Sequence, residues 1–458
     1  MALAAAGSWC RYALERTPRI DTRSVPFLLA SAVSGAGLIV TGLCSLRLAP
    51  RASRLSRRAL WGWALAVQLC GFLALALTSS DVFMNLCFGA LSHQGHSPYA
   101  VLASSLGDSP FVAPVISERW IHAPSPYGPF FHRLASLAVA AGSGTASPWW
   151  GSFWAFKALM LACVLSALFI AARHLSASRT GAAAEVFVVL AMGPLIAWEL
   201  PGQGHNDGLL ILFLIAFLAA AARGRDALAV VALATGICIK YSLAPLLALY
   251  LVLVARASIR RAAVLGLLSM LILGGAIATE WHSINLRALA PIVGGDAGRH
   301  AHSLTDLVCL VLNQLGLHAA AVHAYRMLSA ASMALCLGVL AWTAVRARSL
   351  TELARGYLLF LMAMFLTAPW FQPWYCAWAL PLLLVEPDPR WRRFLAVYMV
   401  ITVAQWAAPL DPVTTVAADV WAASQLWRLL KARSAGIVFS AQAEPVLEDP
   451  EPALAKLG

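Results

Sequence analysis

Apolar runs separated by short arginine-bearing breaks recur along most of the chain. They lie at roughly 26–48, 59–79, 149–172, 184–200, 208–223, 226–239, 241–255, 262–281, 322–345, 354–371, 373–386, 394–410 and 413–430. A helix needs about 20 largely apolar residues to cross a bilayer. Most of the runs approach that length, with 226–239 and 373–386 the shortest. Two stretches break the rhythm. Residues 80–148 form a first large loop, in which 129–143 predicts a membrane-surface helix. Residues 282–321 form a second, with a short apolar piece at 304–316 that re-enters the membrane or lies flat on it. The pattern predicts an all-α fold, a polytopic integral-membrane bundle of about 11–13 transmembrane helices with membrane-surface helices in the large outer loops. One domain covers 1–433. Residues 434–458 carry Glu444, Glu448, Asp449 and Glu451 among prolines and predict a disordered cytoplasmic tail.

Composition agrees with this. Hydrophobic residues make up 60% of the chain and charged residues 12%, against about 25% charged in soluble domains. The net charge of +12 is not a nucleic-acid signal, because the basic residues sit in short clusters between apolar runs. Lys and Arg mark cytoplasmic loops. The clusters are Arg51 with Arg54, Arg57 and Arg58; Arg173 to Arg179; Arg223 with Arg225; Arg256 with Arg260 and Arg261; Arg346 with Arg348 and Arg355; Arg390 with Arg392 and Arg393; and Arg428 with Lys431 and Arg433. With all of them cytoplasmic, both large loops face outside. An odd number of spans then puts the N-terminus outside, against the sense of Arg11, Arg16, Arg19 and Arg23. No signal-peptide cleavage site follows those arginines. The nine cysteines form no CxxC pair, so neither a zinc site nor a disulfide framework is indicated. No internal repeat of the kind that marks many transporters is visible.

Ionisable groups at the ends of apolar spans are costly, and each is a functional candidate. This topology sends Asp81, Glu199, His205, Asp207, Lys240, Glu280 and Asp306 to one face. Each has a plainer alternative. Asp81 can cap a following helix, though the Gly and Pro residues after it predict a compact ordered loop rather than helix. Pro201-Gly202-Gln203-Gly204-His205-Asn206-Asp207-Gly208 can be a polar turn with Asp207 as cap. Lys240 can snorkel or receive a phosphate. The aromatic run Pro369-Trp370-Phe371-Gln372-Pro373-Trp374-Tyr375, continued by Trp378, can be an interfacial belt, with Trp149, Trp150, Trp154 and Trp198. It can equally be a sugar or isoprenoid site.

Taken in order, these motifs resemble the C-type integral-membrane glycosyltransferases. They are most similar to the polyprenol-phosphate-mannose-dependent α-mannosyltransferases and their glycosyltransferase-87-like relatives. The matching residues are Asp81-Val82-Phe83, Gly89, Pro98-Tyr99, Tyr127-Gly128-Pro129, His205-Asn206-Asp207, Lys240 and Pro373-Trp374-Tyr375-Cys376-Ala377-Trp378, across about residues 60–385. Phe88, Ser97 and Ala301-His302-Ser303 depart from the family pattern, as do Met84, Asn85 and Cys87.

The resemblance implies a multi-pass enzyme of a bacterial plasma membrane with an extracytoplasmic active site. It would move a hexosyl group, mannosyl by analogy, from a polyprenol-phosphate sugar to a hydroxyl of a glycolipid or glycan. Membrane lipid, donor and acceptor are the implied partners, with no nucleic acid. Asp81 is the expected general base, since an acceptor hydroxyl must lose its proton. The leaving lipid phosphate is a stable anion that needs cations or hydrogen bonds rather than an acid. His205, Asn206, Asp207, Lys240, Tyr241 and His302 are expected at the donor phosphate or sugar. Tyr99, Tyr127, Gln372, Trp374, Tyr375 and Trp378 are expected at the acceptor or lipid. No second carboxylate is evident beside Asp81 as a nucleophile, so inversion is expected. The outer loops hold no Asp-x-Asp, so neither a metal nor another cofactor is expected. The rival reading is a polytopic transporter or lipid flippase, which prefers polar groups at mid-membrane in broken helices. The enzyme reading requires Asp81, His205, Lys240 and Trp374 to line one outward-facing cavity.

Overall fold

The computed structural model describes residues 1–15, 25–76, 79–112, 118–178, 182–283, 303–369, 371–405 and 411–434. His302, Trp370 and the tail after 434 lie outside them. Among the described residues the fold is all-helical. In order the main helices are α1 (Ala2–Glu15), α2 (Val25–Leu48), α3 (Arg57–Phe72), α4 (Asp81–His93), α5 (Pro129–Ser143), α6 (Pro148–Ser178), α7 (Ala183–Met192) and α8 (Asp207–Ala221). There follow α9 (Asp226–Ile237), α10 (Ala244–Ala257), α11 (Ile259–Ala278), α12 (Leu304–Gln314), α13 (His318–Arg346), α14 (Leu350–Thr367), α15 (Pro389–Gln405) and α16 (Asp411–Ser434). Among the described residues, six helical stretches are long and apolar enough to cross a membrane: Val25–Arg54, Pro148–Ala177, Ala183–Gly202, Ile259–Ala278, His318–Arg346 and Leu350–Thr367. Shorter apolar helices complete the bundle. The chain is a multi-pass membrane protein. The outward faces of the long helices are apolar, as with Ile259, Val264, Leu267, Met270 and Leu271 on α11, which suits contact with lipid tails.

Local sequence accounts for many element ends. Ser56, Ser258, Ser303 and Ser349 cap α3, α11, α12 and α14, each accepting from a backbone N–H three residues on. Small residues let helices close on one another where hydrophobic pressure between spans is weak. Gly37 lies against the backbone of Ala4, and Gly42 against Val400, so a Cβ at either would clash.

Two regions differ from the sequence expectation. Residues 81–93 are a helix, not a loop. Val82 through Leu91 are all buried, and a segment apolar on every side is stable as a helix only when surrounded. Gly89 is no loop punctuation: it sits inside the helix, where a Cβ would run into the Ala135 carbonyl of α5. The 373–386 run is a buried 3₁₀ segment, Pro373–Leu384. Its far end is held by Glu386, which accepts two bonds of 2.7 Å from Arg355. The helices expected at 129–143 and near 304–316 are present as α5 and α12.

Three of the seven arginine clusters meet, and one of them reaches the end of α13 beside Arg346. Arg223 donates to the Arg173 carbonyl and contacts His174. Arg261 donates to the Gly224 carbonyl, and Arg256 donates to the Val345 carbonyl at 2.8 Å. These contacts join the ends of α6, α8, α10 and α13 at one pole. Helix α8 runs from Asp207 to that pole, roughly 20 Å at 1.5 Å per residue.

Candidate active site

At the opposite pole, breaks in the helices bring the charged groups together. Pro201 has no N–H to give and its ring would strike the carbonyl four residues back. The chain widens there into a π-turn, Trp198–Gly202, closed by the Gln203 N–H on the Trp198 carbonyl at 2.7 Å. Gly204 then takes a positive φ of 71°, which turns the chain into α8. The Asn85 amide reaches the Gly204 carbonyl at 3.4 Å. Immediately after these two turns, His205 is directed back into the protein, 1% exposed.

His205 lies between two carboxylates. Its Nδ1 is 3.4 Å from Asp81 Oδ2 and its Nε2 is 3.3 Å from Glu199 Oε2. Its ring stacks on Trp374, centroids 4.0 Å apart at 21°. Glu199 is fully buried, whereas the Asp81 side chain is 37% exposed. Asp81 is the first residue of α4, and its own N–H is satisfied by the Ser79 hydroxyl at 3.1 Å. Its carboxylate faces His205 rather than capping the helix. Burial raises the Asp81 carboxyl, but the His205 and Ser79 hydrogen bonds and the nearby Lys240 outweigh it and hold it below its ordinary value. Burial likewise lowers the His205 imidazole, while Asp81 and Glu199 together push it up to about 9.

The second cluster adjoins the first. Asp207 Oδ1 accepts from Lys240 Nζ at 2.8 Å and from the Trp378 indole at 2.6 Å. Lys240 is also caged by rings, with Tyr375 and Trp378 each 4.9 Å and Tyr127 5.8 Å from its ammonium. Tyr375 and Trp378 stack on one another at 4.5 Å. Tyr127 is brought there by Gly128, whose N–H donates to the Ile239 carbonyl at 2.9 Å, while Phe130 N–H donates to Cys238 at 3.1 Å. A side chain at 128 would collide with the Cys238 carbonyl, which accounts for the Gly of Tyr-Gly-Pro. Asn206 Nδ2 and Asp207 Oδ2 are buried and have no hydrogen-bond partner among the described residues.

Asp81, His205, Lys240 and Trp374 therefore share one pole, with Asp207, Tyr127, Tyr375 and Trp378 alongside. Other expected residues stand further off. Tyr99 donates to the Tyr127 carbonyl at 2.6 Å and packs its ring on His132, so it props the site. Tyr241 is 55% exposed, beside Lys240 in sequence. Gln372 is half-buried and opens the 3₁₀ segment, its carbonyl accepting from Tyr375 N–H. His302 is outside the described residues. Glu280 ties the end of α11 to the first loop, accepting from Ser97 at 2.7 Å, and Asp306 is bonded within the α12 cap. Lys157 is not among the expected residues. It is fully buried in α6, donates to the Ala74 carbonyl, and lies 5.0 to 5.8 Å from the rings of Trp154, Phe153 and Phe72. Its sequence signal is an ionisable residue inside an apolar run.

Among proteins of known activity, the chain is similar to Alpha-(1->6)-mannopyranosyltransferase A of Mycobacterium tuberculosis (strain ATCC 25618 / H37Rv). The two are 27% identical over 172 residues, which is 37% of this chain. That match spans 31% of the length of the relative. No solved structure matches. The family model described as Alpha-(1->6)-mannopyranosyltransferase, N-terminal domain, matches residues 2–257, over half of the chain, and the chain belongs to that family.

Proposed function

We propose that the protein transfers a mannosyl group from a polyprenol-phosphate donor to a glycan or glycolipid hydroxyl, forming an α-(1→6) linkage, at the extracytoplasmic face. Family membership favours a transferase over the transporter or flippase alternative. The linkage is that of the α-(1→6)-mannopyranosyltransferase relative and family, which supports it here. The meeting of several arginine clusters at the other pole supports that face, under the rule that basic loops stay in the cytoplasm.

The observation that carries the reading is the Asp81–His205 pair. Asp81 is better placed than Asp207 to act as the base. Asp207 is 1% exposed, and one of its oxygens already accepts two bonds. Asp81 is 37% exposed and kept ionised by His205. An accessible ionised carboxylate is what an acceptor hydroxyl needs beside it. The proton passes from the hydroxyl to Asp81 as the new glycosidic bond forms, and the anomeric carbon–phosphate bond electrons leave on the lipid phosphate. One displacement inverts the anomeric centre, so an α product implies a β-linked donor.

Lys240 is not a free cation. It already gives one N–H to Asp207, so a donor phosphate there shares it with that carboxylate. The two unpartnered buried atoms, Asn206 Nδ2 and Asp207 Oδ2, offer one donor and one acceptor, which suits a pair of sugar hydroxyls. The rings of Tyr375 and Trp378 supply apolar faces beside them.

The test is Asp81→Asn in membranes given radiolabelled polyprenol-phosphate mannose. Transfer is expected to fall about 10²-fold or more, and the wild-type product to be α-linked by NMR. Undiminished transfer by the variant refutes the base role. A wild type inert with every lipid-linked sugar offered refutes the enzyme reading.

A further inference from the structure

Glu199 is a costly residue where it stands. It is a fully buried acid at the end of an apolar stretch, in the π-turn that Pro201 imposes. Short π segments recur at functional positions because they redirect one side chain without ending the helix. Here the redirected group meets His205 twice: the Glu199 carbonyl accepts the His205 N–H at 3.2 Å, and its carboxylate is 3.3 Å from Nε2. The other ring nitrogen faces Asp81.

A neutral imidazole has a single N–H, so one of the two carboxylates would face a lone pair. With both nitrogens protonated, each carboxylate faces a donor. The ring cannot swing out of this arrangement easily, because Trp374 covers its face at 4.0 Å. Among the described residues, the charged and titratable groups at this pole include Asp207 from α8, Lys240 before α10, Lys157 from α6, Tyr127 before α5 and Tyr375 from the 3₁₀ segment. Lys240 is committed to Asp207 and Lys157 to the Ala74 carbonyl. Glu199 is thus the acid that balances His205 on the side away from Asp81.

We infer, given the base role of Asp81, that Glu199 is a positioning residue for the transfer: it holds His205 as an oriented cation, and His205 in turn keeps the Asp81 carboxylate ionised and aimed at the acceptor. The ordering resembles the logic of a hydrolase triad, in which a buried acid fixes a histidine that serves a third group. Here the third group is a carboxylate base, not a nucleophile, and the histidine keeps its proton throughout.

The experiment compares full-length wild type, E199Q and E199D in detergent, as pH profiles of kcat/KM for polyprenol-phosphate mannose. An amide at 199 keeps the shape and loses the charge. His205 then gives up its proton at lower pH, and Asp81 loses the cation that depresses its pKa. Asp81 must be ionised to act, so a raised pKa moves the acid limb to higher pH. The E199Q limb is expected to move up by about one pH unit, with kcat lowered about tenfold or more and donor KM within about twofold. E199D is expected to keep the wild-type limb. An E199Q limb coincident with wild type overturns the inference, as does a loss of folded enzyme with no movement of the limb.

Nitrogen-15 NMR of the His205 imidazole in the full chain reads the same charge without turnover. A cationic ring at pH 7 is expected in wild type and a neutral one in E199Q. A neutral ring in wild type overturns the inference even if E199Q fails to fold. Should Asp81→Asn retain full transfer while His205 proves cationic, the base role fails and the Glu199–His205 contact stands.

Discussion

The imidazole of His205 lies flat on the indole of Trp374, 4.0 Å between centroids, although the two residues belong to opposite halves of the chain. A cation on an aromatic face contributes about 0.5–2 kcal/mol. Trp374→Phe is therefore expected to keep most of the transfer rate, and Trp374→Leu to lose about three- to thirtyfold through disorder of His205. Initial rates of the two variants in the membrane assay check this. Equal rates would show that stacking does not hold the ring.

Lys240 and Asp207 form a buried pair, 12% and 1% exposed. Breaking such a pair from one side leaves an uncompensated charge and costs about 3–5 kcal/mol. Lys240→Met is expected to lower the thermal midpoint in detergent sharply. The double variant D207N/K240M is expected to recover much of that stability but not the activity. A double variant as unstable as the single one would mean that the pair carries no buried-charge penalty.

Gly128 admits no side chain because of the Cys238 carbonyl. Gly128→Ala is expected to cost about 1–3 kcal/mol of stability. It should also move Tyr127 away from Lys240, raising donor KM. An unchanged melting midpoint would contradict the close approach.

The Asp81–His205 pair gives stability a defined pH dependence. His205 is raised from 6.5 to about 9, so its contribution is complete below about 6.5 and lost as pH rises through about 9. Asp81 is lowered from 3.8, so its contribution is present above that value and lost as pH falls through the folded pKa. Thermal midpoints are expected to decline from pH 6.5 to 9 in wild type and less steeply in His205→Gln. Parallel curves would assign the alkaline loss to other groups.

Much of the bundle was legible because lipid imposes length and polarity on each span. The starts and ends of α2, α6, α9 and α13 lie within a few residues of the apolar runs. What the pattern could not reveal were elements buried in protein rather than lipid. Helix α4 is wrapped by α5 and α6, so its residues are apolar without periodicity, and the nearby glycines read as turns. The 3₁₀ segment carries the same apolar signal as a span. At the site, residue types located Asp81, His205, Asp207, Lys240 and the Pro-Trp-Tyr run. Their pairing was not legible, because it depends on the π-turn and on Gly204. Glu199 is costly by residue type, but its approach to His205 depends on the same π-turn.

The Trp378–Asp207 bond joins residues 171 positions apart, and residues 2–257, which match the family model, contain the acid but not the indole. During synthesis, Asp207 enters the membrane long before its second donor has been made. Lys240, 33 residues later, is the earlier partner and can neutralise it while the remaining spans are still being inserted. A nascent chain carrying Lys240→Met would hold a bare carboxylate among apolar helices through the insertion of α11, α13 and α14, and quality-control proteases would meet it there.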